Sequence, residues 1–192
     1  MEAALKLPEI MSTAEFLVWD APSKLWQLVE GVPTAMAPGS RTHGTIQSEL
    51  AALLRNHLVE RGIPCFVVTA PGIVPRVRAA HNFRIPDLGV TCASYEQEEI
   101  MLQEPVLLIE VLSPSNKAET WSNVWTYTSI PSVCEILVVR SDAIGAELIR
   151  RQPDGTWPEQ ALSLSEGALT LESIGFTCDL EALYRGTRLK NP

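Results

Sequence analysis

The sequence lacks the features that mark a zinc-site, membrane, secreted or strongly basic protein. Its four cysteines, at positions 65, 92, 134 and 178, lack the close spacing of a structural zinc site. No apolar run approaches the roughly 18 residues that a membrane helix needs. The first residues lack the long apolar segment of a secretory signal, which predicts a cytoplasmic protein. The 15 Lys and Arg against 23 Asp and Glu give a net charge of −8, which argues against coating nucleic acid by charge alone.

The composition is that of an ordinary globular protein. Of the 192 residues, 46% are hydrophobic and 20% are charged, which predicts a single folded domain over residues 1–192. Each cysteine lies within an apolar run, so we expect four buried, reduced thiols. The cysteines are Cys65, Cys92, Cys134 and Cys178.

Two patterns organise the N-terminal third. Ser12, with Glu15 three residues later, predicts a short capped helix that ends at Pro22. Two strands around Gly31 predict a hairpin, and they cover Leu25–Glu30 and Val32–Ala37. Residues 44–61 form the clearest helix, because apolar residues recur there on one face. These residues are Ile46, Leu50, Leu53, Leu54 and Leu58.

Apolar runs later in the chain predict the strands of a central sheet. The expected strands are Pro64–Ala70, Leu88–Ala93, Val106–Leu112 and Ile136–Val139, with a helix over Ala118–Thr128. Nearly continuous Val, Ile and Leu runs are typical of strands buried on both faces. Smaller elements are expected in the tail at Ala146–Ile149, Leu162–Leu164, Leu169–Leu171 and Leu180–Tyr184. The fold class is therefore α/β or α+β, with one mixed sheet flanked by helices.

Two carboxylates occupy unusual places in these runs. Glu110 lies inside the apolar run Leu107–Leu112, and Asp87 directly precedes the run that begins at Leu88. A buried carboxylate needs a partner, which can be a metal ion, a salt bridge or water at an open strand face. An Asp at the start of a strand can also be only a turn residue. Two such groups on neighbouring strands could share one divalent cation through oxygen ligands.

The motifs around these acids resemble those of a known family. The stretch RIPDLGV contains Asp87, and LLIEVLSPSN contains Glu110 twenty-three positions later. Together with TAEFLVWD, LVEG, MAPGSRTHGTIQSELAALL and YTSIPSVCEILVV, they occur in the order of the bacterial putative restriction endonuclease (Uma-type) family. That family belongs to the PD-(D/E)XK nuclease superfamily. The resemblance covers roughly residues 12–145 and implies a restriction-endonuclease-like sheet, followed by edge strands and a short helix over 146–192.

The resemblance also implies a site. Asp87 and Glu110 would bind Mg²⁺ or Mn²⁺, and His43, just before the long helix, would assist with phosphate or proton handling. Glu30, in the LVEG turn, would add a third carboxylate, although hairpin turns are often acidic for other reasons. A capping or surface role explains His43 equally well.

The sequence departs from the family pattern at the positions where a lysine is expected. The superfamily position two residues after the second acid is Leu112, and the position on the following helix, counted back from Tyr127, is Asn123. Asn cannot supply a positive charge. Lys117 is near in sequence but does not match the position. Gln27 stands where the family usually has Glu.

A basic stretch precedes the first acid. Arg76, Arg78 and Arg84 occur there with no carboxylate among them, so they could contact DNA phosphates. Arg76 and Arg78 are two residues apart, so both would face one side of a strand. A solvated loop is the alternative.

The sequence thus predicts a magnesium-dependent endonuclease that hydrolyses DNA, weakened by Asn123 in place of lysine. The family tendency makes a homodimer compatible with this hypothesis. The alternative is a catalytically inactive nuclease fold that binds DNA or another protein.

Overall fold

A six-stranded mixed β-sheet lies at the centre of the protein, in a computed structural model that describes residues 10–21 and 25–190. The strands of this sheet are β3 (Phe66–Thr69), β4 (Leu88–Thr91), β5 (Pro105–Leu112), β6 (Glu135–Arg140), β7 (Ala146–Arg150) and β8 (Leu162–Leu164), in that spatial order. Only β5 and β6 are parallel neighbours within it. Two hairpins accompany it, made of β1 (Trp26–Val29) with β2 (Val32–Ala35), and of β9 (Ala168–Leu171) with β10 (Phe176–Asp179).

Three α-helices accompany the strands in the described part of the chain. They are α1 (Thr13–Leu17), α2 (Arg41–Glu60) and α3 (Lys117–Tyr127), and 3₁₀ turns cover Ala79–His81, Glu172–Ile174 and Leu180–Tyr184. The expected capping box of α1 is present. The helix ends at Leu17, and the predicted terminator Pro22 lies outside the described residues. None of the described helices combines the length and apolarity needed to cross a bilayer.

Strand β5 separates two hydrophobic cores. Its odd-numbered residues from Leu107 to Val111 pack in the cluster that contains the buried face of α2. Leu108 and Leu112 pack in the cluster that contains α3. Because side chains alternate along a strand, Glu110 points to the α3 side of the sheet. The predicted mixed sheet flanked by helices is therefore confirmed, with β5 buried on both faces.

The prediction of four buried, reduced cysteines is wrong. Cys65 and Cys92 form a disulfide, and Cys134 is exposed while Cys178 is half-buried. The antiparallel register of β3 and β4 places the residues just outside these strands opposite each other. A separation of 27 residues in the chain hides this pairing from inspection of the sequence.

The tail follows the predicted elements with one addition. The strands expected at 146–149, 162–164 and 169–171 are present as β7, β8 and β9. Strand β10, which was not predicted, pairs with β9 so that Phe176 lies opposite Leu171. Both of these side chains are buried in the core beneath α2.

Candidate active site

A cavity of about 1120 Å³ opens where β4 and β5 meet the N-terminal end of α2. Its lining includes three carboxylates, Asp87, Glu110 and Glu119, together with His43. The described lining contains no Lys or Arg. The cavity is therefore electronegative unless a cation from solution enters it.

The sheet register brings the two predicted acids together. Leu88 lies opposite Ile109 in the antiparallel β4–β5 pair, so one step further along Asp87 faces Glu110. Residues opposite each other in such a pair have neighbouring side chains on the same face. The backbone N–H of Val111 also donates a 2.6 Å hydrogen bond to Oδ2 of Asp87, which fixes that carboxylate against β5.

Helix α2 supplies the second contact of Asp87. The Ser40 hydroxyl caps the helix by accepting a hydrogen bond from the backbone N–H of His43, which orients the first turn. The ring Nε2 of His43 then lies 2.8 Å from Oδ1 of Asp87. This hydrogen bond raises the pKa of His43 against the opposing effect of its burial. One turn later the Gln47 amide donates to the backbone carbonyl of Asp87, at 2.8 Å.

Glu110 is buried, with 7% of its surface exposed. The Tyr127 hydroxyl donates a 2.5 Å hydrogen bond to its Oε1 atom. Burial and the nearby charge of Asp87 raise the pKa of Glu110 well above its usual value, while hydrogen bonds from Tyr127 and Asn123 act in the opposite direction. Glu110 is thus a carboxylate for which ionisation is unfavourable until a positive charge arrives.

Asn123 occupies the α3 position that the resemblance gives to lysine. It is 7% exposed, lines the cavity and hydrogen-bonds Glu110. One turn earlier on α3, Glu119 accepts a 2.7 Å hydrogen bond from the Gln27 amide of β1. Lys117 is exposed at the start of α3 and does not line the cavity.

Glu30 lies outside the cavity lining. It sits in the turn of the β1–β2 hairpin with a positive φ of 51°, and its carboxylate pairs with Arg78 at 2.8 Å. Both side chains are about 60% exposed. The structure therefore does not bring this acid together with Asp87 and Glu110.

The three arginines of the basic stretch have different environments. Arg76 and Arg78 are exposed in a turn, with Arg78 in the left-handed region, so the expected strand is absent there. Arg84 is only 1% exposed, and its Nη1 atom donates to the backbone carbonyl of Leu28. The expectation of direct DNA contact fails for Arg84, because a fully buried guanidinium cannot reach a phosphate.

The donor set fits a small divalent cation. Within residues 10–21 and 25–190, no group of three or more His, Cys, Asp or Glu side chains is arranged as a metal site. Mg²⁺, however, is commonly held by only one or two carboxylates and keeps several waters. Asp87 and Glu110 provide that number, and each carboxylate has lone pairs beyond the hydrogen bonds described above.

The sequence indicated the two acids Asp87 and Glu110, but not the residues that hold the site together around them. In the sequence, Tyr127 only marked the position from which the expected lysine position was counted. The Gln27–Glu119 contact was not visible there, because the two residues are 92 positions apart. The available signal was Tyr127 itself, a polar side chain one helical turn after Asn123 on the same helix.

Comparisons with known proteins agree with this fold. A family model described as "Uma2: Putative restriction endonuclease" matches residues 13–181. The fold is similar to the crystal structure of a putative nuclease belonging to DUF820 from Anabaena variabilis ATCC 29413, with a TM-score of 0.74 and 16% sequence identity. That likeness covers 91% of this chain and 97% of the other, and it concerns the fold alone. No curated protein matches the chain significantly. The family match spans most of the sequence, and the chain therefore belongs to the Uma2 family of putative restriction endonucleases.

Proposed function

We propose that the protein is a metal-dependent endonuclease that hydrolyses phosphodiester bonds in DNA. The observation that carries the proposal is the facing pair Asp87 and Glu110 in a cavity whose described lining has no Lys or Arg. A polyanionic substrate would be repelled from such a cavity. A divalent cation held by both acids would remove that repulsion, and Mg²⁺ or Mn²⁺ suits their oxygen donors.

The protein's own residues have distinct tasks in this proposal. Asp87, fixed by the Val111 N–H and by His43, is a preorganised ligand. Glu110, whose Oε1 atom accepts a hydrogen bond from Tyr127, would hold the cation in its ionised form. The bound cation supplies charge neutralisation on the phosphodiester and activation of water. His43 can give or take a proton at Nε2, where it now contacts Asp87.

Asn123 limits the expected rate. A lysine at this position would add positive charge beside Glu110, whereas the Asn amide adds only a hydrogen bond. Loss of one electrostatic stabiliser in an active site lowers rates by about 10²–10³. We therefore propose a slow nuclease.

The presence of Asn123 where the family has lysine favours one alternative function. With Asn123 in place of lysine, the fold could bind DNA without cutting it. Arg76 and Arg78 are exposed and available for phosphate contacts, although Arg78 also pairs with Glu30. Retardation of DNA without cleavage, weakened by salt and by the double variant Arg76→Ala/Arg78→Ala, would support this alternative.

Cleavage assays separate the two. The protein is incubated with supercoiled and linear DNA in Mg²⁺ or Mn²⁺, beside Asp87→Ala and Glu110→Ala. The control is Glu166→Gln, which changes an exposed carboxylate in the β8–β9 turn. The proposal predicts cutting by the wild type and the control, and none by either site variant. Cutting that survives both site substitutions would mean a contaminant or a different site.

A further inference from the structure

Three of the five tryptophans of the chain lie together at helix α3 and have no part in the proposed cleavage. Trp121 and Trp125 are one turn apart on the helix, with their ring centroids 6.5 Å apart and their planes inclined at 34°. The indole Nε1 of Trp157 donates a 2.9 Å hydrogen bond to the carbonyl of Thr128, which places this side chain at the C-terminal end of α3. We call these three side chains the tryptophan cluster.

Packing in the core explains only part of the tryptophan cluster. Trp121 and Trp157 are half-buried, and both pack against the hydrophobic core between α3 and the sheet. Trp125, by contrast, has 47% of its surface exposed. An indole ring has a large flat apolar surface on which another flat group can stack. Trp125 therefore offers aromatic surface to a ligand from solution.

A positive charge lies at each end of the tryptophan cluster. Lys117 is exposed one turn before Trp121, and the guanidinium of Arg151 stacks on Trp157 at 4.8 Å from the ring centroid. Within the described part of the chain, neither cation forms a salt bridge. The only carboxylate of α3, Glu119, is held on the cavity side of the helix. The surroundings of the cluster thus suit an anionic ligand that carries flat apolar groups.

The tryptophan cluster and the cavity lie on different faces of the same helix. The lining of the cavity includes Glu119 and Asn123, whereas Lys117, Trp121 and Trp125 recur at every fourth residue on a separate stripe. A helix with its side chains is about 10–12 Å across. Stacked nucleotides follow each other at about 3.4 Å along one strand. A strand of a few nucleotides is therefore long enough to contact the cluster while its continuation enters the cavity.

We propose that the tryptophan cluster binds unpaired bases of single-stranded DNA, which stack on Trp125 while Lys117 and Arg151 lie beside the phosphates. Bases within a duplex are covered on both faces by their neighbours, so only an unpaired strand can use the ring. As a statement about substrate, this rests on the proposed nuclease function: the preferred substrate is single-stranded DNA, or a duplex with an unpaired segment. Binding itself needs no cleavage and can be measured without metal.

The first test measures affinity in EDTA, where metal-dependent cleavage is absent. The ligand is a fluorescent single strand of about 12 nucleotides, within the usual site size of such proteins, and the comparison is its duplex. We expect the wild type to bind the single strand more tightly. Trp125→Ala should weaken that binding about tenfold, as expected for one stacked base, and leave duplex binding unchanged. Trp125→Phe should restore part of the loss.

A matched control removes an exposed aromatic ring elsewhere. Tyr95 is 65% exposed and lies far from α3 in the chain, so Tyr95→Ala should bind both DNA forms as the wild type does. Equal affinity of the wild type and folded Trp125→Ala for the single strand would overturn the proposal. So would an equal loss in Trp125→Ala and Tyr95→Ala.

An abasic strand tests stacking with the protein unchanged. It keeps the phosphates and lacks the bases, so the wild type should bind it about tenfold more weakly than the ordinary strand, and Trp125→Ala should lower its affinity no further. Lys117→Gln should weaken the binding of both strands by the same factor, because a phosphate contact is lost in each case. Wild-type affinity that is equal for the two strands would overturn the proposal.

A second copy of the chain is the other occupant that an exposed indole could have. Sedimentation velocity of the wild type and of Trp125→Ala distinguishes it. A dimer that dissociates in Trp125→Ala, with the affinity for the single strand unchanged, would overturn the proposal.

Cleavage in Mn²⁺ tests whether the bound strand is a substrate. Trp125→Ala should raise KM for a single-stranded substrate about tenfold and leave kcat unchanged, because the ring contributes to binding and not to the chemical step. A lower kcat at an unchanged KM would contradict the substrate role. If the wild type cuts no DNA, the nuclease proposal fails, and the affinities in EDTA still decide whether Trp125 binds bases.

Discussion

His43 and Asp87 join a helix to the sheet through one short contact, 2.8 Å between Nε2 and Oδ1. His43 lies in the capped first turn of α2, and Asp87 precedes β4. Their side chains are 14% and 16% exposed, so the contact is largely shielded from water. Shielding strengthens the interaction of the imidazolium with the carboxylate.

This contact predicts a pH-dependent stability. The pKa of His43 is raised in the folded protein, so its stabilising effect is complete below about 6.5 and is lost as pH rises through the higher folded value. His43→Gln should therefore cost more unfolding free energy at pH 6 than at pH 9, by up to about 1.5–3 kcal/mol for a charged hydrogen bond. Urea unfolding at both pH values, without metal, measures the difference. A cost of His43→Gln that is the same at both pH values would contradict the prediction.

Glu110 gives the opposite kind of pH dependence. Its folded pKa is raised, so the native state holds a proton that the unfolded state releases, and stability falls as pH rises above about 4.5. Glu110→Gln keeps the shape and the acceptor for Tyr127 but removes the charge. In EDTA we expect the variant to be more stable than the wild type at pH 8, by about 1 kcal/mol or more, and no more stable at pH 4.5. Urea titrations check this, and a less stable variant at pH 8 would count against it.

A lysine in place of Asn123 should increase activity. The substitution places a positive charge beside Glu110 and Asp87, where a developing negative charge needs it. We expect Asn123→Lys to cleave at least about tenfold faster in Mg²⁺, by comparison with the loss that follows removal of one such stabiliser. Ser122→Lys, on the exposed neighbouring position of α3, is the control and should not change the rate. An unchanged or lower rate in folded Asn123→Lys would contradict the prediction.

The disulfide should contribute to stability. It closes a loop over a separation of 27 residues, for which the chain-entropy estimate is about 3–4 kcal/mol. Cys92→Ser should therefore lower the melting temperature, as should reduction of the wild type. Cys134→Ser, at an exposed free cysteine, should not. A thiol titration in denaturant should find two free thiols before reduction and four after, and four at the outset would refute the pairing.

The local spacing of apolar residues was sufficient to predict most of the helices and strands. The apolar face of α2 was visible because Ile46, Leu50, Leu54 and Leu58 recur with the helical period, and all four are buried. The core strands were visible because β5 is apolar throughout except at Glu110. Strand β10 escaped prediction because FTCD alternates apolar and polar residues over only four positions, which is too short a pattern to distinguish a strand from a loop.

What the sequence did not reveal depends on long-range register. Cys65 meets Cys92 only because β3 and β4 pair in one particular alignment. Arg84 looks like any other residue of a basic stretch, but it pairs with Ile73 while its neighbour Phe83 pairs with Leu28 of β1, and the side chain of Arg84 is buried. Glu30 carries a charge suited to the site, but the turn directs it to Arg78. Residue type alone does not distinguish these environments.

Binding of Mn²⁺ is the measurement that tests the central claim most directly. The metal-free protein is titrated with Mn²⁺, and the EPR signal of free Mn²⁺ is measured at each step. The amount of Mn²⁺ that binds gives the number of sites without any need for cleavage. The account predicts one site in the wild type and in Glu166→Gln, and its loss in both Asp87→Asn and Glu110→Gln, because both acids hold the ion together. Undiminished binding in either site variant would contradict it.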